Sequence, residues 1–222
     1  MFTPVTLDNM LAPYKDKVAP CPILTMNLPI TEEELEQILN QFDRLSALLV
    51  DTSSLILIEK AGFLSLLGKK VKLFSLPQVR EEYLRGGSSL PFPEDVQLLP
   101  YPEGRSPQLS VGAFPTAAST DEALLTHART CRLPLLSEDR KLLLKAEACG
   151  LSYYNALMML EFLQYHGAAG PVKKPSAPYP SFNYPNLKER LLAHSRYSRE
   201  VRRYADLLHT FIEKTGGSSI RH

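Results

Sequence analysis

Four acidic residues of this 222-residue chain stand where carboxylates can do chemistry. The apolar run LPLLS (133–137) stops at SEDRK, and Asp139 lies just beyond it. Asp51 follows SALLV (46–50) in the same way, Asp121 stands shortly before LPLLS, and Glu82 follows the apolar stretch VKLFS (71–75). An Asp at the carboxyl end of a buried strand sits at the edge where open α/β sheets bind their ligands. If these strands pack side by side, the four carboxylates converge, and their mutual repulsion raises each pKa unless a cation sits among them. Mg2+ or Mn2+ suits such an all-oxygen donor set. An ion held there activates a water and neutralises charge on a phosphate, with no need for a His, Cys or Ser nucleophile. A single strand-end Asp serves equally well as a helix cap, so the weight lies on the ordered set.

The elements that must position these residues are legible as an alternation. Short apolar runs at SALLVD, VKLFS, VQLLPY (96–101), LPLLS and LSYY (151–154) read as strands. Between them lie helical segments. Leu55, Ile58, Phe63 and Leu67 share one helical face, with Gly68 as a stop; PQVREEYLR follows VKLFS. A helix with Ser119 or Thr120 as its cap runs to Cys131, DRKLLLKAEACG makes another, and Asn155 caps one ending near His166. Strands alternating with helices predict a doubly wound, mainly parallel α/β sheet over residues 46–166.

Residues 1–45 form an N-terminal extension with one helix, introduced by the capping-box pair Thr31 and Glu34. Residues 167–185 are a proline-rich linker. Residues 186–222 read as one amphipathic basic helix and a tail, with Leu187, Leu191, Tyr197, Val201, Tyr204, Leu208 and Phe211 on its apolar face.

Net charge is +1 and indicates no partner, but its distribution is uneven: residues 171–222 hold ten Lys or Arg against four Asp or Glu. Arg199, Arg202 and Arg203 on the last helix, and Arg140 and Lys141 after Asp139, are candidate contacts to a phosphate backbone. Three widely spaced cysteines and no signal peptide fit a reducing cytoplasm. Cys131 and Cys149 lie in apolar helical patterns and read as small buried residues. His127 reads as a surface or core-edge residue, and the Tyr153–Tyr154 pair as packing rather than a base-stacking platform. No apolar run reaches the ~18 residues of a membrane span.

The pieces LLVDTSSLI, SLPQVREEYL, STDEALLTHA and LPLLSEDRKLLLKAEACGLSYYNALMML together resemble the PIN-domain nucleases, covering roughly 46–166 in family order. That family includes ribonuclease toxins of bacterial toxin–antitoxin pairs and several RNA-processing enzymes. The resemblance implies a three-layer α/β/α fold and a Mg2+- or Mn2+-dependent endoribonuclease. Asp51, Glu82, Asp121 and Asp139 would be its metal-binding acids, with RNA as substrate and an antitoxin or a second copy of the chain among its partners. It implies that Ser53 bonds the first acid, and that Ser137 is the small polar residue two positions before the last. Glu81 competes with Glu82; Glu82 is preferred because it follows Val79 by three, the family's usual spacing. The long 86–120 segment and the two extensions exceed a minimal toxin.

Two other classes remain. One is a PIN-like module that binds RNA or protein without cleaving. The other is a phosphatase or phospho-receiver. A haloacid-dehalogenase-like phosphatase would carry a second Asp two residues after Asp51, where Ser53 stands, and a receiver would need an acidic pair before its phosphorylated Asp.

Overall fold

A computed structural model describes residues 30–86, 91–100, 117–167 and 183–215. The 1–29 stretch, most of 87–116, residues 168–182 of the predicted 167–185 linker and the tail from 216 lie outside the described residues; the end of the predicted linker belongs instead to a helix that begins at Tyr184, capped by Asn183. The elements in chain order are α1 (Glu32–Arg44), β1 (Ala47–Val50), α2 (Thr52–Ala61), α3 (Leu64–Gly68), β2 (Lys72–Ser75), α4 (Pro77–Arg85), β3 (Val96–Leu98), α5 (Ala117–Cys131), β4 (Leu135–Leu136), α6 (Arg140–Ala148), β5 (Tyr153–Tyr154), α7 (Ala156–Tyr165), α8 (Tyr184–His194) and α9 (Arg199–Thr215).

The five strands form one all-parallel sheet in the order β3-β2-β1-β4-β5. β1 is its centre, with Leu48, Leu49 and Val50 wholly buried, as a strand covered on both faces must be. The order reverses at β1: the chain leaves it towards β2 on one side, and returns from β3 to β4 on the other. Right-handed crossovers therefore set α2 to α4 on one face and α5 and α6 on the opposite one. α7 joins the first group, packing against α1, α2 and α3, while α5 packs on α6. The switch point lies between the carboxyl ends of β1 and β4, the crevice in which such sheets place their sites.

Local chemistry explains most boundaries. Thr31 Oγ1 accepts from Glu34 N at 3.2 Å while Thr31 N donates to Glu34 Oε2 at 2.8 Å, the expected capping box. The single helix expected across 55–67 is two. Gly62 caps α2 with φ +87°, a left-handed conformation that costs glycine nothing and redirects the chain into α3. α5 begins at Ala117, ahead of the expected cap, so Thr120 lies inside the helix and its hydroxyl serves another partner. Tyr153 and Tyr154 are core residues, Tyr154 within 6.4 Å of the Phe42 ring, and His127 is buried with Nδ1 against Ala123 O at 2.9 Å. Cys131 is buried as expected, but Cys149 is exposed, because it is the C-cap of α6 rather than part of its inner face.

The basic C-terminal helix is a hairpin of two. Residues 195–198 are non-helical, with Ser195 extended (φ −120°, ψ 159°) and Ser198 Oγ accepting from Val201 N at 3.3 Å to start α9. α8 packs on α2 and α7, and α9 packs on α7. Their apolar stripe thus meets the first face of the α/β layer, with Leu187, Leu191, Tyr204, Leu208 and Phe211 all buried. A polar clamp sits in that contact. Glu161 of α7, wholly buried, accepts from Tyr184 OH and bonds His209 Nδ1 at 3.0 Å; Tyr184 stacks on His209 with centroids 4.1 Å apart. Lys188 bridges Tyr184 OH (3.0 Å) and Asp206 (2.8 Å). A buried carboxylate needs partners of this kind. No helix among the described residues is long and apolar enough to cross a membrane.

Candidate metal centre

The register that pairs Val50 with Leu136 sets the next residues, Asp51 and Ser137, side by side at the switch point. Asp51 N donates to Leu136 O at 3.1 Å, and Ser137 Oγ donates to Asp51 Oδ2 at 2.5 Å. The same Oδ2 accepts from Ser53 Oγ at 2.8 Å, and Oδ1 caps α2 by accepting from Ser54 N at 2.7 Å. Burial pushes the Asp51 carboxyl above the usual range, and the hydrogen bonds from Ser137, Ser54 and Ser53 oppose that rise.

Ser137 Oγ also accepts from Asp139 N at 3.0 Å, so one hydroxyl couples the ends of β1 and of the β4 loop. Asp139 caps α6, with Oδ1 accepting from Lys141 N at 2.7 Å, and its side chain is open to solvent. On the β2 side, Ser75 Oγ donates to Val50 O at 2.8 Å. α4 then presents Glu82 to the same edge: Oε2 accepts from Thr52 Oγ1 at 2.7 Å and Oε1 from Thr120 Oγ1 at 2.6 Å. Glu81 faces away, exposed and paired with Arg85 at 3.0 Å. The neighbour relation of Thr120 to Asp121 brings the fourth acid in. Burial raises the Asp121 carboxyl, and the nearby Asp139 and Glu82 charges raise it further, while Lys145 offsets part of this.

The four acids are therefore neighbours on one edge: Ser137 bonds the Asp51 carboxylate and the Asp139 backbone N–H, Glu82 accepts from Thr52 and Thr120, which adjoin Asp51 and Asp121 in sequence, and Asp121 feels the Asp139 and Glu82 charges. They do not form a closed cage. Among the described residues, no group of three or more His, Cys, Asp or Glu side chains is arranged to hold a metal ion directly. Mg2+ keeps several waters and is commonly bound through one or two carboxylates. An all-oxygen donor set of carboxylates fits an ion of that kind better than zinc, whose protein ligands are commonly His or Cys.

Of the candidate RNA contacts, Arg140 and Lys141 are exposed on the first turn of α6 beside Asp139, and Arg199, Arg202 and Arg203 are exposed on α9. Glu138 was not among the expected site residues. It lies between Ser137 and Asp139, and Ala156 N at the start of α7 donates to its Oε1 at 2.6 Å. Burial pushes Glu138 up to about 7, with Asp51 adding to the rise. Ser54 Oγ, wholly buried, lies close to both carboxyls. Tyr197, from the loop between α8 and α9, lies against Glu138, which with burial raises the phenol. The signal for Glu138 was present in the string SED, but a residue between two polar site positions gives no periodicity that would set it inward.

No family model, curated protein or solved structure matches this chain.

Proposed function

We propose that this chain is a divalent-metal-dependent endoribonuclease of PIN-like type. The observation that carries this reading is the gathering of four acids at the β1/β4 switch point, where Ser137 ties Asp51 to the Asp139 backbone and Glu82 accepts from Thr52 and Thr120, the residues adjoining Asp51 and Asp121. Asp51, Asp121 and Asp139 would hold Mg2+ or Mn2+, directly or through water. When bound, such an ion supplies a more acidic water and neutralises charge on the scissile phosphodiester.

The protein's own part is positioning. Three hydrogen bonds fix the Asp51 carboxylate, so its orientation does not have to be won when substrate arrives. Glu82 accepts from one threonine hydroxyl at each oxygen and retains lone pairs to orient a water. Arg140 and Lys141 stand beside Asp139 to receive RNA phosphates.

Cleavage of a mixed-sequence RNA in Mn2+, with chelator, and with Asp51→Asn tests this. The reading expects cleavage that chelator abolishes and the variant loses by at least about 100-fold, the scale of a lost electrostatic contribution. Cleavage unchanged in Asp51→Asn would overturn it. One observation favours a second reading, a PIN-like module that binds RNA without cutting it: protein donors already engage Asp51 and Glu82. RNA binding with no cleavage in Mg2+ or Mn2+ would select that reading.

A further inference from the structure

A cavity of about 330 Å³ opens between α2 and the loop joining α8 to α9, next to the acidic edge. It shares two residues with that edge: Ser53, which donates to Asp51, and Glu138, which precedes Asp139. One wall is apolar, made by Ile56 and Leu57 of α2. The facing loop contributes Ser195, Arg196 and Tyr197, and Lys60 closes the rim.

Three features of this cavity ask for a ligand. The volume lies at the lower end of the ~300–1,000 Å³ typical of small-molecule sites. Lys60 and Arg196 are exposed at its rim, and neither is in an ion pair among the described residues. The Ser195 hydroxyl is buried and makes no well-formed hydrogen bond, a state that buried polar groups rarely keep, whereas the Tyr197 hydroxyl lies against Glu138. A hydrocarbon ligand would leave the Ser195 hydroxyl and both cations unused. A bare inorganic anion would satisfy the cations and leave the apolar wall uncovered. A nucleotide matches these features: a phosphate for Arg196 and Lys60, a base or sugar edge for the Ser195 hydroxyl, and a flat face for Ile56, Leu57 and the Tyr197 ring.

We propose that this cavity is a nucleotide subsite that seats one residue of the RNA strand beside the scissile phosphate. The proposal rests on the nuclease reading for the strand's direction, and on the cavity alone for nucleotide binding. The basic residues that follow on α9, Arg199, Arg202 and Arg203, then carry the strand away from the site.

The test titrates the four ribonucleoside 5′-monophosphates and inorganic phosphate into the full chain in chelator, by calorimetry and by protein NMR. Arg196→Ala and Lys60→Ala are compared with Lys72→Ala, an exposed residue at the opposite, amino end of β2. The proposal expects at least one mononucleotide to bind more tightly than inorganic phosphate. It expects a tenfold or greater weakening in Arg196→Ala, a smaller loss in Lys60→Ala, and none in Lys72→Ala. No mononucleotide binding, binding no tighter than inorganic phosphate, or binding unchanged in Arg196→Ala would overturn it. The two readings fail separately: nucleotide binding through Arg196 with no RNA cleavage in Mn2+ sinks the nuclease and keeps the subsite, and the reverse outcome does the opposite.

Discussion

Ser137 donates its hydroxyl to Asp51 across 86 residues of sequence, at 2.5 Å, and with the same oxygen accepts the backbone N–H of Asp139 at 3.0 Å. One small side chain therefore joins the first acid to the loop that carries the last. A hydrogen bond to a charged group contributes about 1.5–3 kcal/mol, roughly twice a neutral one. Ser137→Ala should lower unfolding free energy by an amount in this range, read by urea denaturation at neutral pH. It should also reduce RNA cleavage at least tenfold, and Ser137→Thr should restore most of both. A variant that is as stable and as active as the parent would show that Asp51 is held without this bond.

Glu81 and Glu82 are adjacent in sequence and opposite in role. Glu81 forms an exposed ion pair with Arg85 one turn on, a contact whose usual contribution is about 0.3–0.5 kcal/mol. Glu82 accepts from Thr52 and Thr120 and so ties α4 to both neighbouring segments. Glu81→Gln should leave cleavage and stability near the parent's. Glu82→Gln keeps the shape but loses the charge, and should cut cleavage by about 100-fold while costing about 1–2 kcal/mol of stability. Parallel rate and denaturation measurements on the two variants decide it; equal effects would remove Glu82 from the site.

Gly62 and Arg190 make a second adjoining pair. A Cβ at Gly62 would lie 2.8 Å from Arg190 Nη1, and the Arg190 guanidinium donates to Lys60 O at 2.9 Å. With φ at +87°, Gly62→Ala is strained by backbone as well as by contact and should cost more than about 1 kcal/mol. Adding Arg190→Ala removes the clash but not the backbone strain. The double variant should therefore be less destabilised than the sum of the singles, with a coupling above about 0.5 kcal/mol in a denaturation cycle. Strict additivity would mean that the C-terminal hairpin does not press on this turn.

The alternation of strands and helices was legible because each central strand is an unbroken apolar run bounded by a turn or a cap. Asp51 and Asp139 were legible for a related reason: an acid at or just beyond the end of such a run sits at a sheet edge. The residues that connect them were not. Thr52 and Thr120 have no periodic signature, and their importance arises only because α4 brings Glu82 between them. Glu138 and Tyr197 meet across elements far apart in the chain, so no local pattern announces them. The break at 195–198 was hidden because the apolar spacing resumes after it, and a stripe with one skipped turn reads as a single helix.

The clamp between α7 and the C-terminal hairpin gives stability a pH dependence of defined sign. His209 faces Glu161 and Glu213, with Lys188 and the stacked Tyr184 ring nearby. The bond to Glu161 holds the imidazole above its ordinary pKa of 6.5, with burial and Lys188 opposing. A group raised on folding stabilises the folded chain fully below its unfolded pKa, and that stabilisation fades as pH rises through the folded value. The parent's Tm, relative to that of His209→Phe, should therefore be highest below about pH 6 and should decline as pH climbs past 7. Phenylalanine keeps a ring against Tyr184, so the comparison isolates charge from stacking. Glu161→Gln should flatten the same curve by removing the partner that raises His209. Thermal melts of the three proteins from pH 5 to 9 provide the measurement, and a Tm difference that does not change with pH would show that His209 carries no proton linked to the clamp.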